Sequence, residues 1–133
     1  MPLLLGEATP ADAPRIAQIH MAAFGPNAML RAQFPTPEVR RELEASIEAK
    51  ALADIEDSKT TVLVVREADT ETSETSPVVA FAKWSHPVHS HEVYEEPPWV
   101  WPDGTDHAVL DAWTKKCEDA QQRVMGERAC YRE

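Results

Sequence analysis

The residues best suited to chemistry lie together in one segment, residues 86–96. It contains three histidines and three glutamates: His86, His89, His91, Glu92, Glu95 and Glu96. Imidazole titrates near neutral pH, so one of these histidines could exchange a proton together with one of the glutamates. We take His86 and Glu92 as the candidate catalytic pair. A solvated polar loop is the alternative interpretation of the same segment.

The same histidines and glutamates raise the question of a metal site. Imidazole and carboxylate groups bind zinc, and His89 and His91 would point the same way on an extended chain. Their spacing matches no established metal motif, and Pro87 interrupts the segment. We therefore predict no metal ligands in this chain.

Large aromatic residues are concentrated in or beside the same segment, at Trp84, Tyr94, Trp99 and Trp101. Ligand pockets are mostly apolar and hold few polar anchors, so Trp84, Trp99 and Trp101 are candidate walls of a substrate pocket. In the alternative interpretation, Trp99 and Trp101 only pack a proline-rich loop against the helices.

The remaining histidine and cysteine side chains are weaker candidates for a functional site. His20 lies on the apolar face of the first predicted helix, where a satisfied boundary residue is the usual outcome. The last predicted helix has an apolar stripe that we expect to be buried, formed by Val109, Leu110, Trp113, Cys117, Ala120 and Val124. Cys117 on this stripe is therefore expected to act as a small hydrophobic residue. Cys130 has no His or Asp at the spacing of a known nucleophile motif, which argues against a catalytic thiol.

Composition excludes several classes of function. The chain has 133 residues, with 13 Lys and Arg against 23 Asp and Glu, and a net charge of −10. This balance argues against nucleic acid and against an anionic membrane surface as partners. No apolar run approaches the ~20 residues of a membrane span, and two cysteines make no disulfide framework. We expect one cytoplasmic domain covering residues 1–133.

The pattern of apolar and capping residues predicts an α+β fold, with a small, mainly antiparallel sheet packed with three helices. The predicted strands are residues 2–7, 60–67 and 77–84. The first predicted helix begins at Thr9 or, equally well, at Asp12, and the other two begin at Thr36 and at Thr105-Asp106, where Thr and Asp precede apolar residues at helical spacing. The pattern predicts a polar connection at residues 68–76 and an irregular loop at residues 85–104. It assigns neither helix nor strand to residues 25–35.

Four segments resemble those of a known family. They are residues 9–19 (TPADAPRIAQI), residues 22–27 (AAFGPN) with Phe34-Pro35, residues 81–84 (FAKW) and residues 97–106 (PPWVWPDGTD). Together they resemble the N-terminal half of the GCN5-related N-acetyltransferases, the GNAT superfamily, and a fungal subgroup in particular. The resemblance implies a partial GNAT-like fold and an acyl-CoA N-acyltransferase-like function on a small molecule. It also implies that Phe24, Asn27, Arg31 and Phe34 face the acceptor substrate.

The resemblance implies acetyl-CoA as the coenzyme, bound in the family by a fourth strand and a glycine-rich loop. The four glycines of this chain lie far apart, and the sequence stops near Tyr131, where the fourth strand would begin. We therefore expect no cofactor-binding residues and a truncated or divergent family member. Such a protein would be completed by a partner, repurposed without acetyl-CoA, or reduced to a non-catalytic ligand-binding or interaction module.

Pairing of residues 60–67 with residues 77–84 would leave the outer edge of the second strand open. That edge is apolar, with Lys83 as the only charge that could discourage pairing with another chain. We expect a homodimer or a partner chain to cover the edge, with the helix at residues 105–126 as the third candidate.

Overall fold

Three antiparallel strands form the sheet of the computed structural model, which describes residues 2–68 and 76–132. The strands are β1 (Leu3–Glu7), β2 (Thr60–Glu67) and β3 (Val78–Ser85), in the order β1-β2-β3. The register places Leu5 opposite Val65 and Val64 opposite Phe81. The predicted α+β class and antiparallel sheet are confirmed. Most of the polar connection predicted at residues 68–76 lies outside the described residues.

Among the described residues, four helices accompany the sheet, one more than the sequence pattern predicts. They are α1 (Ala13–Phe24), α2 (Ala28–Gln33), α3 (Pro37–Glu56) and α4 (His107–Met125), with a short 3-10 turn at Pro10–Asp12. The unexpected α2 begins at Asn27, whose side chain accepts hydrogen bonds from Met29 N (2.8 Å) and Leu30 N (3.4 Å). None of the described helices has the length and apolar character needed to cross a membrane.

The predicted starts of α3 and α4 are present in the fold, and α1 begins after Asp12, the later of its two predicted starts, with Thr9 preceding the 3-10 turn. The N–H of Val39 donates to Thr36 Oγ1 at the start of α3, and the N–H of Val109 donates to Asp106 Oδ1 at the start of α4, both at 3.2 Å. These side chains satisfy backbone donors that have no partner within the helix. The local sequence therefore fixes where α3 and α4 begin.

Two apolar clusters form the core, one between the helices and one face of the sheet and the other among the helices. The first joins α1, α3 and the strands through Ile16, Ala51, Val62, Val64 and Val78. The second joins α1, α2 and α3 through Ala17, Leu30, Phe34, Leu43 and Ile47, and Trp99 and Trp101 pack against it. The loop at residues 86–104 is thus seated on the second cluster.

The opposite face of the sheet stays largely exposed. Side chains alternate between the two faces of a strand, so this face carries Leu3, Leu5 and Leu63 together with Trp84. Leu3 is 62% exposed, Leu5 70% and Trp84 40%. Trp84 therefore lies on the face away from both apolar clusters.

The outer edge of β3 has one partner, at its end. Ser85 N donates to Arg132 O (2.6 Å) and Arg132 N donates to Ser85 O (3.0 Å), which forms an isolated antiparallel bridge. Within residues 2–68 and 76–132, no strand pairs with this edge between Val79 and Trp84. The helix that was a candidate to cover it, α4, packs against α2 instead.

The apolar face of α4 is mostly in solvent, contrary to the sequence expectation. Leu110 is the buried residue of this helix, whereas Trp113 is 46% and Val124 68% exposed. Cys117 is an exposed free thiol, so the prediction that it is buried is wrong. The reason is that α4 contacts the rest of the fold near its N-terminal end, where Asp106 N also donates to Gln33 O at 2.7 Å.

Candidate functional site

A cleft of about 650 Å³ lies between the loop at residues 86–104 and α4. Its loop side contributes Glu96, Pro97, Pro98, Trp99 and Trp101, and its helix side contributes Leu110, Asp111, Trp113, Thr114 and Glu118, with Gln33 between them. Three tryptophans and three carboxylates therefore share one cavity. None of the described residues that line it is Lys or Arg.

Stacked aromatic rings form the loop side of the cleft. The rings of Trp99 and Trp101 have centroids 4.6 Å apart and planes within 4° of parallel. Behind them, the buried ring of Phe34 lies 5.7 Å from that of Trp101. Because Phe34 belongs to the second apolar cluster, the aromatic wall is fixed to the core of the protein.

A buried charge cluster supports Trp99. The ammonium groups of Lys50 and Lys83 lie 5.6 and 5.7 Å from the centroid of its ring. Both ammonium groups bind the buried carboxylate of Asp54, at 2.5 Å for Lys50 and 2.9 Å for Lys83. Lys50 also lies 3.6 Å from the carboxylate of Glu96 on the cleft wall. This network links the cleft to α3 and β3.

Two further contacts anchor the loop to the end of α3 and the start of β2. The Tyr94 hydroxyl donates to Asp57, and Lys59 pairs with Glu92. Burial, together with the neighbouring carboxylate of Asp57, raises the pKa of Tyr94 to about 12. Burial opposes ionisation of Asp57, but hydrogen bonds from Tyr94 and Thr60 outweigh it and lower the pKa of that carboxyl.

The candidate catalytic pair, His86 and Glu92, lies outside the cleft. His86 Nε2 shares a hydrogen bond of 2.6 Å with Thr61 Oγ1, and its ring lies 5.7 Å from that of Tyr131. Glu92 pairs with Lys59 and accepts from His89 N at 3.1 Å; the hydrogen bond from Lys59 is the main cause that lowers the pKa of Glu92. Each residue therefore has its own partners.

The histidine cluster is arranged by ring stacking. His89 and His91 stack with centroids 5.8 Å apart and planes within 8° of parallel. Across residues 2–68 and 76–132, no three His, Cys, Asp or Glu side chains are grouped so that they could hold a metal ion.

The residues expected to face an acceptor substrate are divided among several places. Trp99 and Trp101 line the cleft, and Phe34 supports it from behind. Phe24 and Asn27 line a neighbouring cavity of about 360 Å³, which shares Gln33 and Trp113 with the cleft. The exposed Arg31 donates to Gly25 O at 3.4 Å, and Trp84 lies on the outer sheet face.

Sequence reasoning missed the helix side of the cleft. Trp113 was assigned to a buried stripe of α4, and Asp111 and Glu118 were assigned no role. Asp111 and Glu118 are two turns apart and share one face of the helix, whereas Trp113, two residues after Asp111, projects from a different face. The signal available in the sequence was an aromatic residue flanked by acids directly after a loop rich in tryptophan.

The described residues do not fit the pyrophosphate of acetyl-CoA. Such a group binds free N–H groups at a helix start, where the helix dipole favours an anion. Here α4 starts with the carboxylate of Asp106, which already accepts the Val109 N–H, and α3 carries Glu38 in its first turn. Gly104 has φ +86° and packs closely against α3, since a Cβ added there would lie 2.8 Å from Val39 Cγ2. This glycine therefore faces the protein interior and does not face a pyrophosphate.

The aromatic rings and carboxylates of the cleft are groups that can attract an organic cation. Aromatic faces attract a positive charge through the ring quadrupole, and carboxylates attract it by direct Coulomb interaction. No model of a known protein family, no curated protein and no solved structure matches this chain.

Proposed function

We propose that this chain is a GNAT-like protein that binds a small molecule carrying a protonated amine in the cleft between the loop at residues 86–104 and α4. The observation that carries the proposal is the composition of the cleft, in which Trp99, Trp101 and Trp113 share a cavity with Glu96, Asp111 and Glu118. The net charge of −10 adds a long-range attraction for cations.

A cation gains more from this cleft than a neutral molecule of the same shape. Contact with an aromatic face contributes about 0.5–2 kcal/mol for a cation and nothing comparable for an alcohol. The carboxylates of Asp111 and Glu118 are exposed, so their attraction is moderate and screened by salt. Selectivity for the charged form should therefore be about tenfold to a hundredfold.

The resemblance to N-acetyltransferases supports the same ligand class, because the acceptor in such a reaction is an amine. The element order β1, helices, β2, β3 agrees with the partial GNAT-like fold that the resemblance implies. The segment at residues 97–106, which carries part of the resemblance, supplies Trp99 and Trp101 to the cleft. The free thiols of Cys117 and Cys130 are compatible with the cytoplasmic location that we include in the proposal.

A second candidate is a non-catalytic binding module with the same ligand. The separate partners of His86 and Glu92 favour it, because neither side chain reaches the cleft wall. In the first candidate, an acyl-CoA N-acyltransferase-like protein, the bound amine would be turned over, whereas the second candidate only binds it. Binding of the amine is therefore the claim to test first.

The test is a titration of tryptophan fluorescence with two molecules of matched shape, benzylammonium and benzyl alcohol. We expect benzylammonium to bind at least about tenfold more tightly at low salt, and the difference to shrink as salt is added. Glu96→Gln should reduce the preference, whereas Glu48→Gln, an exposed acid on α3, should leave it unchanged. Equal affinity for the two molecules would refute the proposal.

A further inference from the structure

The outer edge of β3 carries backbone groups that lack a strand partner. Successive residues of a strand direct their N–H and C=O groups to opposite edges. Ser85 exchanges two backbone hydrogen bonds with Arg132 across the outer edge, so Lys83 and Phe81, two and four residues earlier, direct their groups to the same side. In the part of the chain that the structure describes, no strand pairs with these two residues.

This open stretch of β3 is short. At one end, Ser85 is already bonded to Arg132. At the other end, the register between β2 and β3 shifts and leaves Val79 opposite no residue of β2, a bulge that interrupts the alternation of the edge. Just before it, Val78 O accepts Arg15 Nε at 3.0 Å. Two copies joined through their β3 edges would each bring a bulge and a bridge into the contact, so the stretch suits a short peptide better than a second β3.

An apolar groove of about 490 Å³ lies between α1 and this edge. Its α1 side consists of Ile19, His20, Ala23 and Phe24, and its other side is residues 79–83 of β3. Lys83, with a side chain 24% exposed, is the charged residue of the groove, and no Asp or Glu is among the described residues that line it. Phe81 lies on the α1 side of the sheet, where it packs against the first apolar cluster. Because side chains opposite each other on paired strands share a face, a strand residue placed opposite Phe81 would extend its side chain into the groove.

We propose that this edge binds a short extended peptide of a partner protein, added to β3 as an antiparallel strand, with an apolar side chain in the groove opposite Phe81 and an acidic side chain opposite Lys83. Another extended backbone satisfies the alternating N–H and C=O groups of a strand edge. The bridge between Ser85 and Arg132 shows that the same edge accepts an antiparallel chain. The inference is independent of the amine-binding proposal, because the groove and the cleft share no lining residue.

The probe is the peptide Glu-Thr-Val-Thr-Val with both ends blocked, which places Glu opposite Lys83 and the first Val opposite Phe81. N-methylation of the first Val removes an N–H that faces β3 and should weaken binding at least about tenfold. N-methylation of the second Thr is the matched control, because that N–H faces away from β3, and it should change the affinity by less than about twofold. A peptide with Lys in place of Glu should bind about threefold to tenfold more weakly, since Asp54 already offsets part of the charge of Lys83.

Amide hydrogen exchange locates the bound peptide on the unaltered chain. The amides of Phe81 and Lys83 should exchange rapidly in the free protein and slowly at saturating peptide, whereas that of Ala82, which faces β2, should stay slow in both states. A pair of variants adds a check: Ala23→Arg fills the groove and should abolish peptide binding, and Ala22→Arg, beside it on α1 and likewise exposed, should not. Benzylammonium binding should persist in both variants and shows that they are folded.

The outcomes separate the possible occupants of the edge. Equal binding of the two N-methylated peptides, equal affinity for the Glu and Lys peptides, or amide exchange of Phe81 and Lys83 that the peptide leaves unchanged would overturn the proposal. Protection of these two amides that grows with protein concentration in the absence of peptide would assign the edge to a second copy and overturn it as well.

Discussion

The indole rings of Trp99 and Trp101 lie parallel, with centroids 4.6 Å apart. Such stacking holds two residues of an otherwise irregular loop in one arrangement, and Phe34 on one side and the Lys50–Asp54–Lys83 network on the other tie that arrangement to the core. The aromatic wall of the cleft is therefore formed before any ligand arrives. A preformed wall reduces the ordering cost of binding.

Removal of Trp99 should affect both stability and binding. Trp99→Ala loses the stacked ring and the contact with two ammonium groups, so we expect the free energy of unfolding to fall by about 2–3 kcal/mol. Urea unfolding measures this change, and benzylammonium binding should be lost. Trp84→Ala, on the exposed sheet face, is the control and should leave binding intact. Retained binding in Trp99→Ala would contradict the assigned site.

The shared carboxylate of Asp54 should be more important than either of its lysine partners. Asp54→Ala leaves two ammonium groups without their carboxylate, and Lys50 is 4% exposed, so the expected loss is about 3–5 kcal/mol. Lys50→Met keeps the Lys83 pair at 2.9 Å and replaces the lysine by an apolar chain, so its cost should be clearly smaller. Equal losses in urea unfolding would show that the two lysines do not share Asp54.

His20 should make stability depend on pH. Burial, followed by the nearby charge of Lys83, lowers the pKa of His20 below its usual 6.5. As pH falls, the His20 imidazole is protonated at a higher pH in the unfolded chain than in the folded one. The stability that neutral His20 contributes is therefore fully present above pH 6.5, and it is lost as the pH falls through the lowered pKa of the folded protein. Thermal unfolding between about pH 5 and pH 7 measures the slope, which should flatten in His20→Gln.

Tyr94 should ionise in an unusual pH range. Its burial and its hydrogen bond to Asp57 raise its pKa to about 12, so its phenolate should form well above the usual value of 10. Ultraviolet absorbance detects phenolate, and circular dichroism at the same pH shows whether the chain is still folded. Tyr94→Phe should remove the late transition. If the substitution removed a transition near pH 10 instead, the contact with Asp57 would be absent in solution.

Local signals in the sequence predicted most of the fold. Thr36 and Asp106 mark the starts of α3 and α4 because a capping side chain acts within its own turn, and β2 and β3 follow from runs of β-branched residues. The sequence did not predict α2, a six-residue helix that depends on Asn27 and on the burial of Leu30. A segment this short carries too little periodicity to be assigned from its pattern alone.

The sequence predicted the loop side of the candidate site but not its helix side. Trp99 and Trp101 were identified from their composition and loop context, whereas Trp113 was not, because an apolar stripe on a helix normally indicates burial. The stripe of α4 is exposed because the helix contacts the body of the protein only near Leu110, and that is a property of tertiary packing. Tertiary packing also decides the partners of His86 and Glu92. The two residues are close in sequence, but the sequence does not show that His86 binds Thr61 and that Glu92 binds Lys59.

The central claim is that the cleft binds a protonated amine. Its most direct test is an NMR titration with benzylammonium that follows the four tryptophan indole N–H signals. Each signal can be assigned with a single Trp→Phe variant. If the cleft binds the protonated amine, the signals of Trp99, Trp101 and Trp113 shift together and saturate, while that of Trp84 stays unchanged; benzyl alcohol at the same concentration shifts them far less. Shifts of equal size with both molecules, or a shift confined to Trp84, would contradict the account.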